Sequence, residues 1–73
     1  MDLDEVYRKI ALRMKSLRKQ QGLTQEKLAE LADVSHDYIS KIEIVVDKPG
    51  LIGLHKIINA LNVSYSEFFK DFN

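Results

Sequence analysis

The chain has 73 residues, 45% hydrophobic and 30% charged, with no cysteine and a formal net charge of zero at pH 7. That length makes one domain, residues 1–73, with no room for a second or for a ligand-sensing unit. The composition excludes a disordered chain, and the missing thiols exclude a disulfide scaffold and a thiolate zinc site while suiting a reducing cytoplasm. No apolar run approaches the roughly 20 residues of a membrane span. The acidic start Met1-Asp2-Leu3-Asp4-Glu5 does not resemble a signal peptide.

Leu3, Val6, Ile10, Met14 and Leu17 recur every three or four residues and predict a first amphipathic helix, ended at Gly22 by a left-handed turn. Thr24 reads as the N-cap of a second helix to about Leu31, with Leu28, Ala29 and Leu31 facing inward. After the turn Ala32-Asp33-Val34, Ser35 caps a third helix to about Ile44, with Ile39 and Ile42 on its buried face. Two short capped helices separated by about four residues form a helix-turn-helix pattern. Val45 to Gly50 reads as a loop, with Pro49 holding Lys48 extended. Leu51, Leu54, Ile57, Ile58 and Leu61 mark a fourth helix that stops at Asn62. Ser64 and Glu67 form a capping box that starts a fifth, carrying Phe68 and Phe69. No stretch alternates with period two, so no sheet is expected.

Charge is unevenly spread. Residues 1–21 carry six bases (Arg8, Lys9, Arg13, Lys15, Arg18, Lys19) against three acids, a net of +3. Residues 22–43 carry two bases (Lys27, Lys41) against five acids (Glu26, Glu30, Asp33, Asp37, Glu43), a net of −3.

The runs Leu17 to Ala29 and Val34 to Glu43 resemble the helix-turn-helix of Cro/repressor-type DNA-binding domains. Pro49, the Leu54–Leu61 helix and the Val63–Phe69 run match the rest, so the resemblance covers about residues 10–69. It implies an all-α, compact five-helix, lambda repressor-like fold that binds double-stranded operator DNA as a homodimer, with helix 3 in the major groove. Carried over residue by residue, it implies that Ser35, His36, Asp37 and Lys41 read bases. Thr24, Gln25, Tyr38, Ser40 and Lys48 fall where phosphate contacts are common, and Arg18 and Glu43 where a buried ion pair joins helix 1 to helix 3.

The chemistry admits two readings at most of these positions. Gln25 opens a helix, where free amides attract phosphate, or is a plain surface residue. His36 and Lys41 can donate to guanine and Asp37 can accept from cytosine. Alternatively Asp37 and Lys41 form an ordinary helix ion pair, and His36 is simply solvated. Tyr38 either lies along the backbone or packs half-buried against helix 2. Ser35-His36-Asp37 is no catalytic triad, because consecutive helical residues point about 100° apart. His36 and His55 lack metal-ligand spacing and no glycine-rich phosphate loop is present. No enzyme, metal or cofactor is expected.

Two departures from the family pattern stand out. Asp33 holds a turn position usually taken by Gly, which Asp tolerates. Ile44-Val45-Val46-Asp47 replaces a loop usually rich in Gly and bases. Val45 and Val46 either include one residue folded back on the core or form a protein contact, and Phe72 is either a lid or part of a dimer contact. The acidic helix-turn-helix implies few phosphate contacts and weak monomer binding, offset by a dimer or by helix 1 bases that face DNA. A protein-interaction module on the same fold is the alternative. The sequence does not choose among a phage repressor, an antitoxin, a restriction-modification controller and another small regulator, nor between a natural short protein and one domain of a longer one.

Overall fold

A computed structural model describes residues 1–73 as five helices and no strand: α1 (Leu3–Gln20), α2 (Gln25–Ala32), α3 (His36–Glu43), α4 (Leu51–Ala60) and α5 (Tyr65–Phe68). Four of them start on a side-chain oxygen that accepts from an otherwise free amide: Asp2 from Glu5, Thr24 from Lys27, Ser35 from Tyr38 and Ser64 from Glu67, each at 2.9–3.0 Å. The α4 helix starts at Gly50 without a side-chain cap. The Ser64–Glu67 box is half formed. The carboxylate of Glu67 turns instead to Arg13 at 3.4 Å and Lys70 at 3.2 Å, two cations that outcompete a backbone amide.

The helices stop as consistently as they start. Gly22, Asp33, Val45 and Asn62 follow α1 to α4 with φ of 69°, 57°, 61° and 56°. The first three close Schellman turns, in which the amides of Leu23, Val34 and Val46 donate to the carbonyls of Arg18, Ala29 and Lys41 at 3.0, 3.0 and 2.8 Å. Glycine takes this conformation freely and Asp or Asn with little resistance, but a β-branched Val does not. The sequence signals at Gly22, Asp33 and Asn62 are thus met, and Val45 is a strained stop with no such signal.

Ile10, Met14 and Leu17 of α1, Leu28, Ala29 and Ala32 of α2, Ile39 and Ile42 of α3, Ile57 and Ile58 of α4, Leu61 and Phe68 make one core. Arg13 tethers α5 to α1, donating to the carbonyls of Phe68 at 3.1 Å and Glu67 at 2.8 Å. Phe72 meets Phe69 edge-on with ring centres 4.8 Å apart and partly covers the core, so it is a lid. Three predicted inward residues, Leu3, Leu31 and Leu51, are instead exposed. Leu3 and Leu51 are the first residues of their helices. Leu31 lies about 110° around α2 from the middle of its buried arc, and Ala32 takes the inward place. Neither Val45 nor Val46 joins the core.

Replacing Val45 with Gly should therefore stabilise the fold, because a left-handed β-branched residue costs about 1–2 kcal/mol. The higher unfolded-state entropy of Gly offsets part of that, leaving a gain of roughly 1 kcal/mol. Urea unfolding of Val45→Gly measures it, and an unchanged or lower midpoint would contradict the strain.

Candidate nucleic-acid interface

The Asp33 turn brings the first residues of α2 and α3 side by side. Gln25 and His36 meet there, with His36 Nε2 3.3 Å from Gln25 Oε1. The other end of Gln25 donates from Nε2 to Glu43 Oε1 at 3.0 Å. Glu43 in turn accepts both arms of Arg18, at 2.8 Å from Nε and 3.0 Å from Nη2, while Arg18 Nη1 donates to the Leu23 carbonyl at 2.8 Å. The Glu43 side chain is only 2% exposed and that of Arg18 9%. One hydrogen-bonded chain therefore runs from α1 through the end of α3 and the start of α2 to the start of α3.

Ser35, His36, Asp37 and Lys41 all lie on the exposed side of α3 or at its start. Asp37 and Lys41 are paired one turn apart, at 3.0 Å, and the bond and charge of Asp37 hold the Lys41 ammonium above the ordinary lysine range. Thr24 and Ser35 spend an oxygen lone pair on their caps and keep their hydroxyl protons for another acceptor. Ser40 is half-buried on α3. Lys48 points toward α1, 3.3 Å from Asp4 and 5.8 Å from the centre of the Tyr7 ring.

Tyr38 is packed against the core, half-buried, with its ring over Gly53 of α4. Burial first, and the Asp47 carboxylate second, raise its phenol above the ordinary tyrosine value. A β-carbon on Gly53 would overlap the Tyr38 hydroxyl and approach ring carbon Cζ to 3.0 Å. The sequence reading missed this contact, although an isolated glycine inside an apolar helical run signals close packing. It also missed the bond between Gln25 and His36, which nothing in the linear pattern marks.

The acidity of the helix-turn-helix is largely internal. Glu43 pairs with Arg18, Asp37 with Lys41 and Glu30 with Lys27, leaving Glu26 and Asp33 as the unpaired carboxylates. The α1 bases do not all face outward either: Arg18 is buried, Arg13 holds α5, and Lys9 reaches the Asp71 carbonyl at 3.5 Å. Elsewhere, His55 is engaged by the Tyr65 hydroxyl at 2.6 Å and by Asn59 at 3.1 Å. No helix is long and apolar enough to cross a membrane.

A family model described as helix-turn-helix matches residues 14–68. The chain belongs to this Cro/repressor-type helix-turn-helix family. It is similar to the HTH-type transcriptional regulator PuuR of Escherichia coli K12, 39% identical over 59 residues that make up 81% of this chain and 32% of that protein. It is also similar to the immunity repressor protein of Bacillus phage phi105, 37% identical over 78% of this chain and 40% of the repressor. The chain thus spans about a third of the length of the first of these relatives and two fifths of the second. Among solved structures, the wild-type restriction-modification controller protein C.Esp1396I superposes with a TM-score of 0.87 at 30% identity, covering 96% of this chain and 90% of that one. The same controller as a tetramer on its natural 35 base-pair operator superposes at 0.86, again 30% identical and covering 96% and 90%. The lambda repressor-like five-helix architecture is thereby established.

Two substitutions test the site's framework. Glu43→Ala leaves the buried Arg18 guanidinium without its carboxylate and should cost about 3–5 kcal/mol in urea unfolding, against under 1 kcal/mol for removing an exposed pair. Gly53→Ala should cost about 1–3 kcal/mol by overpacking, and less in a Tyr38→Phe background, which removes the nearest overlapping atom. Equal costs in the two backgrounds would show that the Tyr38 hydroxyl is not what Gly53 accommodates.

Proposed function

We propose that this chain is a sequence-specific transcriptional regulator that binds operator DNA with α3 in the major groove. The observation that carries it is the meeting of Gln25 and His36, the first residues of two adjacent helices, on one surface inside the stretch that matches the helix-turn-helix family. Ser35, His36, Asp37 and Lys41 are proposed to read base edges. Asp37 and Lys41 exchange their mutual ion pair for an acceptor and a donor toward bases. Thr24, Gln25, Tyr38, Ser40 and Lys48 are proposed to hold phosphates, with Gln25 assisted by the α2 amides and Lys48 released from Asp4. Residues 1–73 act as one unit in this reading, in the cytoplasm, without cofactor or metal.

The active form is proposed to be a homodimer. Support comes from the tetrameric controller protein on its operator and from the small number of unpaired bases near α3, which makes a single copy a weak ligand for phosphate. Ile44, Val46, Leu51 and Ile52 are 63–76% exposed and follow directly on α3, where a second copy would be held in register with its own recognition helix. Phe72, as a lid on its own core, is left out of that contact. The same exposed residues favour the second reading, a protein-interaction module that has lost DNA binding.

Selection from random duplexes at low salt should enrich a palindrome with half-sites about 34–36 Å apart. Lys41→Ala should lose about 1–3 kcal/mol of discrimination at one base pair per half-site. Lys48→Ala should instead weaken all sequences alike and reduce the salt slope by about 0.9. Failure to enrich any sequence, with no binding at low salt, would leave the interaction module as the reading.

A further inference from the structure

We infer that the Arg18–Glu43–Gln25 chain fixes which nitrogen of His36 carries the proton, and so makes His36 a hydrogen-bond acceptor toward its base. This rests on the base-reading role proposed for His36. The direction of the chain follows from what each group is able to do. Arg18 only donates, and the ionised Glu43 carboxylate beside it only accepts. The Gln25 atom 3.0 Å from Glu43 is therefore the amide nitrogen, and the atom facing His36 at 3.3 Å is the amide oxygen. An oxygen there requires a proton on His36 Nε2. In the neutral ring the proton is then absent from Nδ1, and Nδ1 has no partner in the protein.

An unprotonated Nδ1 presents a lone pair. In the major groove it is satisfied by the exocyclic amino group of adenine or cytosine, and opposed by the O6 and N7 acceptors of guanine. The residue type alone allows His36 to donate to guanine. The chain of bonds behind it reverses that polarity. Gln25 thereby acts as a positioning residue, in addition to any phosphate it holds, and part of the operator preference originates at an ion pair buried between α1 and α3.

The test has two arms. Long-range proton–nitrogen correlation spectra of the free protein at about pH 8, above the ordinary histidine range, report the tautomer directly. A pyrrole-type Nε2 and pyridine-type Nδ1 are expected for His36, with Gln25→Ala giving a mixture. A protonated Nδ1 in the wild type would overturn the inference whatever the DNA result. In the second arm, the base pair read by His36 is the one whose preference His36→Ala abolishes in the selected operator. Removing the amino group there (purine for adenine, 2-pyrimidinone for cytosine) should weaken the wild type about tenfold and His36→Ala not at all, while 7-deazapurine substitution should leave both unchanged. Gln25→Ala should lose discrimination at that same pair, whereas a purely phosphate-binding Gln25 would lower affinity equally on all sequences. Sensitivity to the N7 atom, or uniform weakening by Gln25→Ala, sinks the inference. A correct tautomer combined with no pair sensitive to His36→Ala sinks instead the base-reading role beneath it.

Discussion

Arg18 and Glu43 lie 25 residues apart in sequence and share two hydrogen bonds almost out of reach of water. Such a pair adds little net stability over a well-packed apolar one, since desolvating both charges offsets their attraction. Its contribution here is geometric. Arg18 also holds the Leu23 carbonyl, so it fixes the path of the turn into α2, while Glu43 fixes the end of α3 and receives Gln25 from the start of α2. Three helices are thus indexed to one another by one carboxylate. A loss of that carboxylate would disturb the relative placement of α2 and α3 as well as the stability of the whole.

That indexing matters because the elements it joins are short. Helices α2 and α3 have eight residues each, below the about 12–15 at which an isolated helix becomes marginally stable in water. They persist because Thr24 and Ser35 cap their starts, Asp33 and Val45 turn their ends, and Leu28, Ala29, Ala32, Ile39 and Ile42 anchor their inner faces. Tyr38 presses α3 against Gly53 of α4 from the other side. These contacts hold the exposed sides of α2 and α3 in a fixed relation to one another. At Val45 the chain accepts strain in order to close α3 one residue after Ile44, and that stop launches the exposed apolar loop.

The charge distribution also gains meaning from pairing. A net of −3 across the helix-turn-helix is hard to reconcile with a polyanionic ligand if all those charges face outward. With Glu43 buried, and Asp37 and Glu30 paired to lysines, the field on the exposed side of α2 and α3 is weaker than the count implies. Of the α1 bases, Arg13, Arg18 and Lys9 contact the rest of the fold, while Arg8, Lys15 and Lys19 stay exposed without a partner. On α3 itself the one lysine is paired, Lys41 to Asp37 at 3.0 Å.

Most of the architecture was legible in the linear chain. Helix starts at Thr24, Ser35 and Ser64 and stops at Gly22 and Asn62 are local chemistry, set by which side chains accept an amide or tolerate a positive φ, and they reappear in place. Periodicity found the core, because a 3.6-residue repeat identifies a helix face, but it erred at Leu3, Leu31 and Leu51, since burial also depends on what packs against each position. Several features existed only once α1, α2, α3 and α4 were brought together. These are the role of Phe72 as a lid, the seating of Tyr38 on Gly53, the pull of Lys48 toward α1, and the bond from Gln25 to His36. The sequence by itself determined where most of the helices begin and end and most of the face each one buries, because those preferences act over a few residues. Only the tertiary structure decided which polar groups face one another, and so which way their hydrogen bonds run, because that requires partners remote in the chain.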